Sequence, residues 1–157
     1  MHPHAVLIQS FYDAFARRDA EAMVACYHPQ VHFSDPVFPD LQGQAAGDMW
    51  RMLCGRAQDL VIRSSNIQAD DQTGSAHWDA DYTFSATGRM VHNRIDAAFR
   101  FQDGKIIDHK DTFDLYAWTR MALGVSGILL GWTPMVQNKV RGQAAAGLAA
   151  FQKKRAG

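Results

Sequence analysis

The sequence predicts an α+β fold: three amino-terminal helices packed in a strongly curved, mainly antiparallel sheet, with a carboxy-terminal helical extension. Two observations carry this prediction. Apolar residues recur at three- and four-residue steps before about residue 58 and again after residue 115, which is helical spacing. Between those limits the period changes to two, over four long segments separated by turn signals, as in a meander of strands.

Leu7, Ile8, Phe11, Tyr12 and Phe15 place a first amphipathic helix over 5–17. Asp19 is suited to cap a second helix over 20–27, with Met23, Val24 and Tyr27 inward and Pro29 as its end. Val31 to Asp35 alternates as a short strand that stops at Pro36, and Pro36, Pro39 and Gly43 make the next stretch a loop. A third helix over 45–58 carries Met49, Trp50, Met52 and Leu53. Strands are predicted over 60–69, 75–86, 89–102 and 105–114, with turns at 70–74, Thr87-Gly88 and Asp103-Gly104. Helical spacing returns at Leu115, breaks at Gly124 to Gly127 and near Pro134, and runs to about Lys154. Helices lying in the hollow of a bent sheet enclose a cone whose open end is a natural ligand pocket.

The 157 residues fit one domain, and 47% apolar with 20% charged residues is a soluble globular composition. Sixteen basic residues balance sixteen acidic ones, so no general attraction to nucleic acid or anionic lipid is implied. Cys26 and Cys54 match no zinc or redox spacing and read as small buried hydrophobes in a reducing compartment. His28 and His32 straddle Pro29 and share no helix face, so neither metal nor cofactor is expected. The amino terminus has no basic region ahead of its apolar run, unlike a signal peptide. The apolar stretch 122–132 is broken by glycines and too short to span a bilayer, and it lacks flanking cations on a polar face. A cytoplasmic protein is expected, with no nucleic-acid partner and no stable membrane insertion.

The string from Arg18 through Tyr27, with His28 to Asp35-Pro36, resembles the second helix and first strand of the nuclear transport factor 2-like superfamily. Phe99 to Ile107, with Asp108 to Asp114, is similar to its last hairpin. Ketosteroid isomerase, SnoaL-like polyketide cyclases and limonene epoxide hydrolase belong to that group. The resemblance implies a SnoaL-like domain over 1–116, a helical extension over 117–157, and a homodimer formed through the outer sheet face. It also implies an apolar cavity for a small hydrophobic molecule, because the working groups of these relatives line such a cavity.

Carried over residue by residue, the resemblance makes Asp35, before Pro36, the equivalent of the isomerase's general base. The isomerase's two enolate donors fall on Phe11 and Ala97, which cannot donate; Tyr12 and Asp96 stand one residue away. Loss of one such donor costs on the order of a hundred- to a thousandfold in rate, so an efficient steroid isomerase of that design is not expected. The same register points Trp78, Tyr82, Asn93, Phe99 and Phe113 inward, beside Phe11, Phe15 and Trp50 from the helices, as ligand-binding residues. His109 and Asp111 also point inward. The expected catalytic set is thus Asp35, Asp111 and His109: Asp35 takes a proton from an acidic carbon, and Asp111 or His109 returns it. Arg94 and Arg100 fall on the outer face, so no inward arginine supports epoxide opening. A non-catalytic module binding a hydrophobic ligand or partner helix in the same cavity is the alternative. In that case Asp35 serves as a turn cap. The apolar residues of the tail are too many to leave in water, and a lid or a subunit contact is expected to cover them.

Overall fold

The computed structural model describes residues 1–56 and 58–157. Among them are six helices and one six-stranded sheet: α1 (Pro3–Ala16), α2 (Ala20–Ala25), β1 (Tyr27–Ser34), β2 (Leu41–Gln42), α3 (Gln44–Arg56), β3 (Val61–Ala69), β4 (Thr73–Phe84), β5 (Arg89–Gln102), β6 (Lys105–Thr112), α4 (Leu115–Leu123), α5 (Val125–Leu130) and α6 (Pro134–Ala156). The sheet order is β2-β1-β6-β5-β4-β3. β3 to β6 form the expected antiparallel meander, and β1 joins it by pairing parallel to β6.

Local chemistry explains most boundaries. Asp19 caps α2 by accepting from the Ala22 N–H at 3.0 Å, and Asp114 caps α4 by accepting from the Ala117 N–H at 3.1 Å. Asp70 holds the β3–β4 turn, accepting from the Gln72 and Thr73 amides at 2.8 and 2.7 Å. Asp103 and Gly104 both take positive φ in the β5–β6 hairpin, the left-handed pair that Asp-Gly turns favour.

Some elements differ from the sequence expectation. α2 stops at Ala25, and Tyr27 opens β1 instead of closing a helix. Pro29 lies inside that strand, where the β1–β6 register shifts between Tyr27 and His32; such an irregularity is where a sheet tolerates a missing N–H. The stretch that Pro36, Pro39 and Gly43 predict as a loop contains β2, which pairs with His32 and Phe33. The third helix, expected to reach Gln58, is described to Arg56, and Ala57 lies outside the described residues.

The narrow end of the cone is filled by α1 and α3 side chains set against the concave face of the sheet. Ile8, Phe11, Phe15, Phe33, Trp50 and Phe99 are at most 2% exposed. Their rings meet edge to face: Phe15 and Trp50 at 5.0 Å between centroids, Phe33 and Trp50 at 5.4 Å, Phe11 and Trp50 at 5.6 Å. The wide end is covered by the tail. Leu115, Trp118 and Ala122 of α4 pack on Val91, with Val37, Tyr82, Phe84 and Phe113 around them. α6 runs back along α3, placing Leu148 in the main core. Asp48, buried in α3, accepts from Gln152 at 3.2 Å and from Arg51 at 3.0 Å, so a polar clasp backs that packing. The outer sheet face carries a ladder of His77, His92, Asp79, Asp81 and Asp96, with Arg94 and Arg100 exposed as expected.

Only part of the tail's apolar surface is covered. Val125, Ile128, Leu129, Trp132 and Met135 stay exposed in the single chain, so the expected lid does not take them in.

Candidate functional site

Two layers of polar groups face the cone interior. The deep layer forms because β1 and β6 pair in parallel, with Phe33 beside His109, and β5 sets Ala97 opposite Asp111. Tyr27, at the start of β1, is brought into contact with His109, although the chain separates them widely. The Tyr27 hydroxyl lies 2.8 Å from His109 Nδ1 and accepts the Trp50 Nε1–H at 2.8 Å. His109 Nε2 lies 2.8 Å from Asp111 Oδ1, which also accepts weakly from Trp78 Nε1 at 3.4 Å.

This geometry assigns the protons. An indole only donates, so Tyr27 accepts from Trp50 and has one hydrogen left to give to Nδ1. His109 is therefore the neutral tautomer with its hydrogen on Nε2, donated to the Asp111 carboxylate. A protonated imidazole would leave the buried Tyr27 hydrogen without an acceptor. His109 and Asp111 are 0% and 3% exposed, so this relay is sealed from water. Burial holds the Tyr27 phenol well above its ordinary pKa, and the Asp111 charge adds to the effect.

Tyr12 belongs to the same layer. The sequence placed Phe11, not Tyr12, at the position of an enolate donor, yet both are buried, because α1 is enclosed on more than one face. Among the described residues the Tyr12 hydroxyl is buried without a hydrogen-bond partner. Burial and then the Asp111 charge hold it un-ionised, its pKa raised well above the usual tyrosine value.

The shallow layer lies at the wide end and is only half buried. Asp35 follows the last residue of β1, close enough to Tyr82 for the two groups to interact electrostatically. Its Oδ1 accepts from the Val37 and Phe38 amides at 2.7 and 2.6 Å, an Asx turn that fixes the carboxyl's direction. Burial, with a smaller contribution from the Asp111 charge, pushes its pKa up to about 6 against the opposing pull of those amides. The Tyr82 hydroxyl accepts the Trp118 Nε1–H at 2.7 Å, which leaves its own hydrogen free to donate. Burial raises the Tyr82 pKa, and the Asp35 charge contributes to that rise.

The structure thus brings Asp35 to the mouth and His109 with Asp111 to the sealed layer behind it. Trp78 and Asn93 are buried on the inner wall, Tyr82 and Phe113 border the mouth half-buried, and Phe11, Phe15, Trp50 and Phe99 lie in the filled narrow end. A hollow of about 460 Å³ opens elsewhere, between the β1–β2 loop and α6, lined by Val37, Phe38, Leu41, Arg141, Ala145 and Leu148. Sequence reasoning missed Tyr27, Tyr82's partner Trp118, and Tyr12. No parity signal marks the first, because the exposed Pro29 and the register shift between Tyr27 and His32 interrupt the alternation that Val31 and Phe33 show. Among the described residues no group of three or more His, Cys, Asp or Glu is placed to hold a metal ion.

Residues 8–109 match the SnoaL-like domain family. The chain belongs to that family. Solved structures sharing its fold include TerC co-crystallised with polyporic acid, 18% identical, with a TM-score of 0.65 over 76% of this chain and 98% of that one. A candidate polyketide cyclase of Xanthomonas campestris is 22% identical, with a TM-score of 0.64 over 76% and 96% of the two chains. An LEH-like epoxide hydrolase of M. tuberculosis is 17% identical, with a TM-score of 0.65 over 82% and 96%. These identities establish a shared fold for the SnoaL-like chain and leave its chemistry to its own residues. Comparison with curated protein sequences finds no match.

Proposed function

We propose that this SnoaL-like protein is an acid–base enzyme that moves a proton at a carbon next to a carbonyl in a small apolar substrate. The observation that supports the reading is Asp35, a half-buried carboxyl at the cone mouth with its pKa raised to about 6, beside a tyrosine hydroxyl with a free hydrogen. A base of that strength is ionised at neutral pH and can hold an abstracted proton. In the proposed step the carboxylate takes the proton, and the electron pair of the broken C–H bond moves onto the carbonyl oxygen. Tyr82 donates a hydrogen bond to that oxygen, and the Trp118 N–H behind it strengthens the donor. Returning the proton to another carbon completes an isomerisation; attack of the enolate carbon on a second carbonyl of the same substrate gives a ring, that carbonyl's electron pair moving onto its oxygen, which takes the proton from Asp35. The sequence expected Asp111 or His109 to return the proton. Their sealed position supports a backing role instead: Asp111 adds to the burial that raises the Asp35 pKa, and the Tyr27–His109 pair holds Asp111.

The test is deuterium uptake at the α-carbon of apolar cyclic ketones in heavy water, followed by proton NMR. The native protein is expected to accelerate exchange and Asp35→Asn to lose at least a hundredfold of that rate, roughly the share of one positioned base. Equal exchange with both proteins ends the proposal.

A second reading has its own support, since the Asx turn gives Asp35 a structural task without chemistry. Under it the cone retains a hydrophobic molecule unchanged. Ala80→Trp, which crowds the wall, would then abolish retention while Asp35→Asn would not.

A further inference from the structure

In the α4–α5 hairpin α4 buries its large side chains, but α5 is built inside out. A helix packed in a water-soluble protein buries its large apolar side chains and shows small or polar ones to solvent. In α5 the glycines face inward. A β-carbon on Gly127 would fall 2.0 Å from the Thr119 carbonyl oxygen, and one on Gly131 would fall 2.0 Å from Thr119 Oγ1. This Gly-xxx-Gly spacing lets the two helices touch backbone to backbone, a contact typical of helices packed in lipid. The large side chains are thereby turned outward: Val125 is 72% exposed, Leu129 64% and Trp132 64%. Trp132 anchors its indole N–H on the Leu129 carbonyl at 3.1 Å.

Charge is segregated toward the same end of the chain. All sixteen acidic residues precede Leu115, together with ten of the sixteen basic ones; from Leu115 to Gly157 there are six basic residues and no acidic one. A chain of zero net charge is thus divided into a body at −6 and a tail at +6. α5 has no cation of its own, which is why its sequence alone argues against a membrane. The fold supplies the cations from its neighbours: Arg120 on α4, stacked on Tyr116 at 4.9 Å, and Lys139 on α6, both exposed.

We infer that the α4–α5 hairpin and the start of α6 form a docking surface for an anionic lipid membrane. Val125, Leu129 and Trp132 enter the boundary between headgroups and acyl chains, and Arg120 and Lys139 meet lipid phosphates. Among the described residues no helix is long and apolar enough to cross a membrane, so the contact is superficial. A second copy fits this surface poorly. A two-fold pairing sets the same patch against itself and would bring four cations together with no carboxylate from either tail. α4 also carries Trp118, the donor to Tyr82, so docking would bring the cone mouth to the layer where apolar molecules concentrate. The inference stands on the tail alone and does not need the proposed proton transfer.

The test is flotation of the full chain with vesicles of phosphatidylcholine alone and of phosphatidylcholine mixed with phosphatidylserine. The protein is expected to float with the mixed vesicles at physiological ionic strength and to be released at high salt. Leu129→Glu should abolish flotation, and Lys139→Glu should weaken it by at least about fivefold, the share of one cation near such a surface. Both positions are exposed, and an unchanged near-ultraviolet circular dichroism spectrum confirms folding. Trp132 is the only exposed tryptophan among the described residues, the other three being at most 8% exposed, so its protection from acrylamide should appear only with the mixed vesicles. Failure to float, equal binding to neutral vesicles, or a solution dimer that Leu129→Glu separates would each overturn the inference.

Discussion

Tyr27 gives its hydroxyl hydrogen to His109 Nδ1 across 2.8 Å, and that one bond sets the imidazole's tautomer. Because Nδ1 is occupied, Nε2–H must point at Asp111, and the Asp111 carboxylate is held in place behind Asp35. Tyr27→Phe would leave the Trp50 indole and the imidazole each without a buried partner. A loss of about 2 to 6 kcal/mol is expected in urea unfolding, at about 1 to 3 kcal/mol per orphaned group. Nitrogen NMR of the native protein should show His109 protonated on Nε2 alone at neutral pH; a hydrogen on Nδ1 would refute the relay.

Asp35 couples stability to pH in a defined direction. Its folded pKa, about 6, lies above the ordinary 3.8, so the folded chain holds the proton more tightly. Its contribution is complete below about pH 4 and is lost as pH rises through 6. The gap corresponds to about 3 kcal/mol at most. Asp35→Asn keeps an acceptor for the Val37 and Phe38 amides and removes the charge. It should therefore be more stable than the native protein at pH 7.5 and equal to it at pH 4, in thermal melts at the two values. A variant destabilised at pH 7.5 would mean that the carboxylate is better solvated than its surroundings imply.

Trp118→Phe separates shape from hydrogen bonding at the mouth. A phenyl ring keeps the contact with Phe84, whose ring centroid lies 5.2 Å from that of Trp118, but gives nothing to Tyr82. Stability should fall by about 1 kcal/mol, the net worth of one such bond. Ketone exchange should slow roughly tenfold, one part of a donor's usual share. A variant with native exchange would remove Tyr82 from the proposed step.

Asp48 is 3% exposed and joins α3 to α6 through Gln152. Asp48→Ala leaves Arg51 paired with Glu21 at 2.8 and 3.0 Å, so the loss falls on the tail. About 1 to 3 kcal/mol is expected, together with faster tryptic cleavage within α6. Cleavage confined to the loops would show that Leu148 alone holds that helix.

Much of the architecture could be read from local pattern because the physics behind it is local. β5 alternates buried and exposed residues along nearly its whole length, so Asn93, Ile95 and Phe99 could be assigned to one face from period two alone. The Asp19 and Asp114 caps follow from one side chain and one amide three residues on. The relay was hidden because Tyr27 stands at helical spacing after Met23 and Val24, while its partner lies 82 residues away on a strand that pairs in parallel. Gly127 and Gly131 read as breaks in a helix, since sequence shows that a glycine is small and not what presses against it. Tyr12 escaped for a related reason: which faces of α1 are enclosed depends on the curvature of a sheet that the chain has not yet made.

The parallel seam between β1 and β6 also dictates when the molecule can assemble. Asp35 sits just past the first long strand, His109 and Asp111 on the last, and until that last strand leaves the ribosome β1 has only the two-residue β2 as a strand partner. Closing so distant a pair is slow by nature. Every nascent chain ending before Thr112 therefore carries a solitary aspartate with nothing behind it, and any chemistry at the mouth must wait for a finished sheet.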